Sequence, residues 1–346
     1  MAEATSRDII SFAEYAATVP IHKGLYDGCD EFIRQFPPGE AIRVAARLNY
    51  ANPFYLPLMG ADNTRNIEID SSDLAEFVLR ARLTAHYSPH PKVLVACAPK
   101  SASTFIQSAL CQASGLPVVT LNATTERPGS ASVLGIDLRE QELDELALIR
   151  HGMNNIGYVA QHHVRATPYL CAQLSLFNIR PIVTYRNIFD SLVSLDDMLV
   201  AARREAGSED MYFNDAMPTH YAAMDVGERL LLLAGRMVAW YLQFHISWRR
   251  AERAGLVNPL WISYEQDFLA DKRRLAARLS TFLGSQTFPE EALHASLSDR
   301  ERGAGFRLNK GVSGRGADIP ESVRALVTKL AAHYVEEEDL SPLIGT

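Results

Sequence analysis

Between Pro91 and Pro99 the chain reads KVLVACA, a short and almost wholly apolar run, and the polar stretch KSASTF follows directly. A run this short without polar alternation is expected to be a strand buried on both faces, as in a parallel sheet covered by helices. STFIQSALCQAS then has helical spacing and ends at Gly115, a common helix stop. A buried strand that turns through a compact polar loop into a helix brings the helix's first N–H groups to the strand's carboxyl end. Few arrangements outside the α/β class accommodate that unit.

The same alternation continues downstream. LPVVTL, NIGYVAQHH, RPIVTYR and NPLWISY are further strand candidates. Helical stretches separate them: LREQELDELALIRHG with Gly152 as its stop, TPYLCAQLSLFN with Thr167 as cap and Pro168 in first position, and NIFDSLVSLDDMLVAAR. DVGERLLLLAGRMVAWYLQFHISWRRA opens with an Asp225–Glu228 capping box, and EQDFLADKRRLAARLSTFLG follows the last strand. The expected fold is α/β, a parallel central sheet flanked by helices. Residues 1–90 are mostly helical in pattern and form an expected N-terminal helical extension packing on a core of residues 91–346.

Charge and cysteine usage narrow the classes. The 346-residue chain carries a net charge of −7, which argues against nucleic-acid binding through bulk charge while leaving room for one local basic pocket. Cys29, Cys97, Cys111 and Cys171 form no CxxC pair, so metal or disulfide use is not expected and a reducing compartment fits. No basic segment followed by an apolar one marks the N-terminus as a secretory signal. The most apolar long stretch, Leu230 to Trp248, contains Arg236, Gln243 and His245, which suits a buried helix better than a membrane span. A cytoplasmic protein with no membrane span is the expectation.

Three polar segments fall where such a fold can use them. In PKSASTF, a helix N-terminus combined with Lys100, Ser101, Ser103 and Thr104 suits an anion; a plain surface turn with a capping serine is the alternative. In RPIVTYRNIFDSLVS, Arg186 sits at a strand's carboxyl end with Ser194 eight residues later. Ligands bind at such strand ends in open parallel sheets, and an arginine fork grips phosphate; pairing of Arg186 with Asp190 is the competing use. RLNKGVSGRG places Arg307, Lys310 and Arg315 among Gly311, Gly314 and Gly316, either as an anion nest or as a flexible basic linker.

Taken together and in order, these segments resemble the sulfotransferases that use 3′-phosphoadenosine 5′-phosphosulfate (PAPS). PKSASTF is similar to their 5′-phosphosulfate loop PKSGTTW, RNIFDSLVS to R-N-P-x-D-x-x-x-S, NKGVSGRG to the later R-K-G-x-x-G loop, and WISYEQDFLADKRRLAARLSTFLG to a Tyr-Glu-Asp-Leu stretch followed by a helix. The resemblance covers residues 92 to about 335. It implies a P-loop NTPase-like sulfotransferase fold, with PAPS as sulfuryl donor and no metal. Lys100, Ser103 and Thr104 would hold the 5′-phosphosulfate with the backbone of Ser101 and Ala102. Arg186 and Ser194 would hold the 3′-phosphate, Lys310 and Gly311 would close over it, and Tyr264 would lie near the adenine. The chain departs from the pattern at Ala102, Phe105, Ile188 and Asn309, where the family has Gly, Trp, Pro and Arg. Ala102 is strained if its backbone must be left-handed.

The resemblance also implies a histidine base at a strand end, in a segment like K-T-H-L-P. NIGYVAQHHVRATPYL offers His163, which aligns best, and His162; Ala160 and Gln161 stand before them, so the family lysine is missing. Neighbouring strand residues face opposite ways, so one histidine at most faces a site. Arg165 is a second basic contact or a helix-end charge. Residues 204–225 form a long polar and aromatic stretch in which Tyr212, Phe213 and His220 are candidate acceptor contacts. The acceptor expected from the resemblance is a hydroxyl of a small molecule or carbohydrate, and self-association through residues 1–90 is a further possibility. The competing functions are a P-loop kinase using ATP, which would need a G-x-x-x-x-G-K-[ST] loop that the chain lacks, and a nucleotide-binding protein of the same fold without turnover.

Overall fold

The structure, a computed structural model, describes residues 31–32, 34–37, 71–121, 142–153, 156–204, 218–299 and 313–345. Two compact units divide the chain: Met1–Phe77 with Thr124–Pro128, and Val78–Ala123 with Gly129–Thr346. Within the first, Phe32 meets Phe36 edge to face, with ring centroids 5.2 Å apart. All that follows concerns the second unit.

Its centre is a five-stranded sheet, entirely parallel, in the order β2-β3-β1-β4-β5. The strands are β1 (Lys92–Cys97), β2 (Val118–Val119), β3 (Tyr158–His162), β4 (Ile179–Tyr185) and β5 (Leu260–Ser263). The helices in chain order are α1 (Ser71–Tyr87), α2 (Ser103–Ser114), α3 (Glu145–Met153), α4 (Pro168–Leu176), α5 (Ile188–Arg204), α6 (Val226–Arg253), α7 (Lys272–Leu283), α8 (Glu290–Ser298), α9 (Glu321–Ala331) and a last turn, α10 (Ser341–Ile344).

Period-2 alternation along β1 builds two cores. Val93, Val95 and Cys97 face α2, α7 and α8, while Leu94 and Ala96 face α4, α5 and α6. All six β1 residues are buried, which explains why the run reads as continuously apolar. Each fully buried Val or Leu contributes roughly 1.5–3 kcal/mol. Right-handed crossovers then decide the faces. The chain leaves β1 toward β2 through α2 on one face, and returns through α3, α4 and α5 on the other. The point of reversal lies beside β1, between β3 and β4, where open α/β sheets bind ligands at the carboxyl edge.

The expected elements occur with several differences. Only Val118 and Val119 of LPVVTL pair as a strand, because Leu121 turns its N–H to a side chain instead. The helix expected over LREQELDELALIRHG begins at Glu145 among the described residues and runs through Gly152 to Met153. Gly152 is therefore no stop: a Cβ there would come within 2.8 Å of the Ala81 carbonyl, so the residue permits close helix packing. The stretch after β5 is not one helix but a π-helical turn, Tyr264–Leu269, followed by α7, which Asp271 caps by accepting the Arg274 N–H at 2.9 Å. Asp225 caps α6 by accepting from Gly227, a bond within the first turn. Helix α8 stands where no element was expected. Gly115 and Thr167 act as anticipated: Gly115 ends α2 at φ 71°, and Thr167 accepts the Leu170 N–H at 3.0 Å.

Of residues 1–90, α1 and a short helical turn near 31–34 are described. Lys310, Gly311, Tyr212 and Phe213 lie outside the described residues. Among those that are described, no helix is long and apolar enough to cross a membrane.

Candidate functional site

The carboxyl ends of β1, β3 and β4 meet at one edge of the sheet. Register fixes this: Ala96 lies opposite His162, and Cys97 opposite Thr184. Residues 98–102, His163 and Arg186 consequently leave three adjacent strands at the same level.

The β1–α2 loop is held from beneath. Ser101 is buried, and its hydroxyl donates to the Ala98 carbonyl at 2.6 Å and meets Thr184 Oγ1 at 2.7 Å. Tyr241 of α6 donates its hydroxyl to the Pro99 carbonyl at 3.2 Å, and Arg186 donates to the Lys100 carbonyl at 3.3 Å. The Ser101 side chain thus fastens the loop to β4, leaving only its backbone for a ligand. The first α2 bond runs from the Ile106 N–H to the Ala102 carbonyl, so the N–H groups of Ser103, Thr104 and Phe105 precede the helical ladder. Thr104 is exposed, and Lys100 is partly exposed with Nζ 3.7 Å from Met198 Sδ of α5.

Two residues of this loop have left-handed backbone angles without being glycine: Lys100 at φ 67° and Ala102 at φ 64°. A Cβ in that region costs about 1–2 kcal/mol, so the loop stores strain at both positions. Ala102→Gly relieves it at one. After allowance for the entropy of glycine in the unfolded chain, the variant is expected to be more stable by ~0.5–1 kcal/mol. Urea unfolding would read this as a raised midpoint at constant slope; an unchanged or lowered midpoint would show that the loop is not strained at Ala102.

The two histidines separate cleanly. His162 is 3% exposed, and its Nε2 accepts the Leu121 N–H at 2.9 Å, tying the end of β2 to β3. Burial, helped by the neighbouring His163, pushes its pKa down to about 3, so the ring is neutral. His163 is partly exposed and faces β1. Its Nδ1 lies 2.7 Å from the Cys97 carbonyl and 3.3 Å from Cys97 Sγ. A carbonyl only accepts, which assigns the ring proton to Nδ1 and the basic lone pair to Nε2. Trp240 of α6 stands edge-on to the ring, centroids 6.5 Å apart.

Arg186 is enclosed, at 4% exposure. Its guanidinium lies 3.6 Å from Asp190, 3.8 Å from Glu265 and 4.0 Å from the Tyr264 ring centroid. The pairing with Asp190 is therefore present. Burial raises the Glu265 carboxyl above its usual range, although the Asn187 N–H donates to it at 3.2 Å. Tyr264 is buried as well, stacked on Phe268 with centroids 5.6 Å apart. Ser194 is buried on α5.

The end of the glycine-rich segment docks on the same helix. Asp190 accepts the N–H groups of Gly314 at 2.8 Å and Gly316 at 2.7 Å, while Arg315 pairs with Asp197 at 2.5 Å. A Cβ on Gly316 would collide with Phe189, so only glycine lets the two backbones approach. The segment, read as either a nest or a linker, thus holds the protein's own carboxylate at these two glycines. His220 is exposed, and Arg165 donates to Gln243 at 2.8 Å, away from the strand ends. Nearby, Asp196 receives a bidentate contact from Arg229 at 2.8 and 3.0 Å and the Tyr221 hydroxyl at 2.7 Å, which locks α5 to α6.

Sequence reasoning passed over Gln161 and Cys97. Gln161 Nε2 donates to Ser103 Oγ at 2.9 Å and lies 3.7 Å from Cys97 Sγ, joining the loop to the His163 strand. The available signal was spacing: Gln161 precedes His163 by two residues on a strand and so shares its side. A cavity of about 920 Å³ lies at the opposite, amino edge of β4 and β5. Its Arg180 bonds the carbonyls of Phe282 and Leu283, and its Arg278 pairs with Asp267 and bonds the Trp261 carbonyl. That chemistry is structural, and the strand-end site is the better candidate. Among the described residues no cluster of His, Cys, Asp and Glu is arranged to hold a metal ion. No family model, curated protein or solved structure matches the chain.

Proposed function

We propose that the chain is a PAPS-dependent sulfotransferase that transfers a sulfuryl group to a hydroxyl of a small-molecule or carbohydrate acceptor. The observation that carries this reading is the juxtaposition of two strand ends. His163, with its lone pair assigned to Nε2, leaves β3 beside the β1 loop that carries Lys100 into the N-terminus of α2.

The residues fit the donor best at its 5′ end. The opening N–H groups of α2, the Lys100 ammonium and the exposed Thr104 hydroxyl form a cationic, donor-rich cradle for a phosphosulfate. At the 3′ end the phosphate must compete. A 3′-phosphate at Arg186 would share the guanidinium with Asp190 and Glu265, and would exchange one carboxylate contact for its own. When bound, PAPS supplies an activated sulfuryl group. His163 Nε2 takes the proton of the attacking hydroxyl, help worth typically ~10²–10⁴-fold. Lys100 and the α2 N-terminus stabilise the negative charge that grows on the leaving phosphate oxygen.

Thermal unfolding with added nucleotide tests the reading. 3′-Phosphoadenosine 5′-phosphate at a hundred times its Kd is expected to stabilise the protein by about 2.7 kcal/mol, a rise of several degrees in Tm. ATP with Mg²⁺ is expected to do far less. A larger shift with ATP and Mg²⁺ would replace this proposal with a kinase.

A further inference from the structure

Gln161 of β3 and Cys97 of β1 lie on the side of the sheet that packs under α2, as does His163 just beyond β3. Ser103, the first residue of α2, is 6% exposed, and its Oγ accepts the Gln161 amide N–H at 2.9 Å. Among the described residues the Ser103 hydroxyl makes no other hydrogen bond. A serine hydroxyl has one proton and two lone pairs. With a lone pair engaged by Gln161, the proton is left to be donated, at a point where the opening N–H groups of a helix already converge.

We propose that Gln161 is a positioning residue, which turns the Ser103 hydroxyl into a donor to the anion held at the α2 N-terminus. This role rests on the reading of that site as the seat of the PAPS 5′ end. It explains why a buried serine at a helix start is spanned by a side chain from the next strand. It also predicts a polarity. Gln161→Met keeps the length of the side chain and removes the amide. Gln161→Glu reverses the bond, because a carboxylate only accepts; it draws the Ser103 proton to itself and adds negative charge beside the anion.

Calorimetric titration with 3′-phosphoadenosine 5′-phosphate tests this on wild type, Gln161→Met, Ser103→Ala, the double variant and Gln161→Glu. Each of the first two single changes is expected to weaken binding about 10-fold, as for loss of one hydrogen bond to a charged group. The double variant should bind no more weakly than either single, since both remove the same donor. Gln161→Glu should bind more weakly than Gln161→Met at pH 7, with the excess shrinking as the new carboxyl is protonated at lower pH. A Gln161 that served packing alone would show neither non-additivity nor this pH dependence. Independent, multiplying losses, or wild-type affinity in Gln161→Met, overturn the role of Gln161 while the nucleotide site stands. Absence of binding to wild type overturns the site and the role together. If Gln161→Met does not fold, the near-isosteric Gln161→Glu decides: affinity equal to wild type at pH 7 sinks the proposal.

Discussion

His163→Ala is expected to slow sulfuryl transfer by ~10²–10⁴-fold and to leave 3′-phosphoadenosine 5′-phosphate affinity unchanged. Lys100→Ala is expected to lower both. The contrast follows from where the two groups stand. His163 is fixed through Nδ1 to the Cys97 carbonyl, which leaves the basic lone pair on Nε2, and the proposed function gives it proton removal from the acceptor alone. Lys100 belongs to the loop that leads into α2, where the proposed function seats the donor's 5′ end whether or not an acceptor is present. Single-turnover rates and nucleotide titrations on both variants check the pair. Full turnover in His163→Ala would move the base elsewhere. A loss of nucleotide affinity matching that of Lys100→Ala would make His163 a binding residue. His162→Ala is not an equivalent experiment, because it removes the acceptor of the buried Leu121 N–H and so acts on the sheet edge.

The second large effect is acid lability. His162 and His245 are 3% and 1% exposed, and burial pushes both pKa values down to about 3. In the unfolded chain each takes up its proton near pH ~6.5. Below that pH the unfolded state binds protons that the folded state does not, so stability falls as pH drops from 6.5 toward 3. The loss between pH 7 and pH 5 is about 2 kcal/mol per histidine, roughly 4 kcal/mol for the two. His151, lowered to about 4 by burial and by Arg150, acts in the same direction.

His245 isolates the effect. It lies among Tyr185 and Trp261, with ring centroids 5.3 and 5.1 Å away, and among the described residues neither of its nitrogens has a hydrogen-bond partner. Arg249 lowers its pKa further, and Asp339 opposes that more weakly. His245→Phe should therefore remove about half of the pH dependence that the two buried histidines carry and raise stability at pH 7, since an orphaned buried polar group costs ~1–3 kcal/mol. Urea unfolding of both proteins at pH 7, 6 and 5 makes the comparison. A wild-type stability that is flat over this range, or an unaltered slope in His245→Phe, would contradict it.

Much of the architecture is determined locally and is legible along the chain. β1 is a short run buried on both faces, β3 and β4 are buried along most of their length and β5 in its second half, and their apolar character is a direct image of that burial. Thr167, Asp225 and Gly115 announce helix ends because capping is satisfied within a few residues. The residues that gather at the carboxyl edge are also visible in sequence, since each follows an apolar run.

Other features depend on partners distant in the chain. Strand order is one such matter, for it rests on pairing between segments far apart in the chain and not on any single one. Gly152 reads as a stop and is a packing contact, because the Ala81 carbonyl that needs its space is far away in sequence. The division of labour between His162 and His163 was bounded by alternation, yet it took Leu121 on one side and Cys97 on the other to assign each ring. Arg186 suited phosphate or, as the commoner use of a lone arginine, Asp190, and the fold adds Glu265 and Tyr264 from beyond β5. Ala102 is the plainest case. Its sequence neighbours allow either sign of φ, and the left-handed value of 64° arises where the chain turns between β1, anchored through Ser101 to Thr184, and α2, whose start is tied through Ser103 to Gln161.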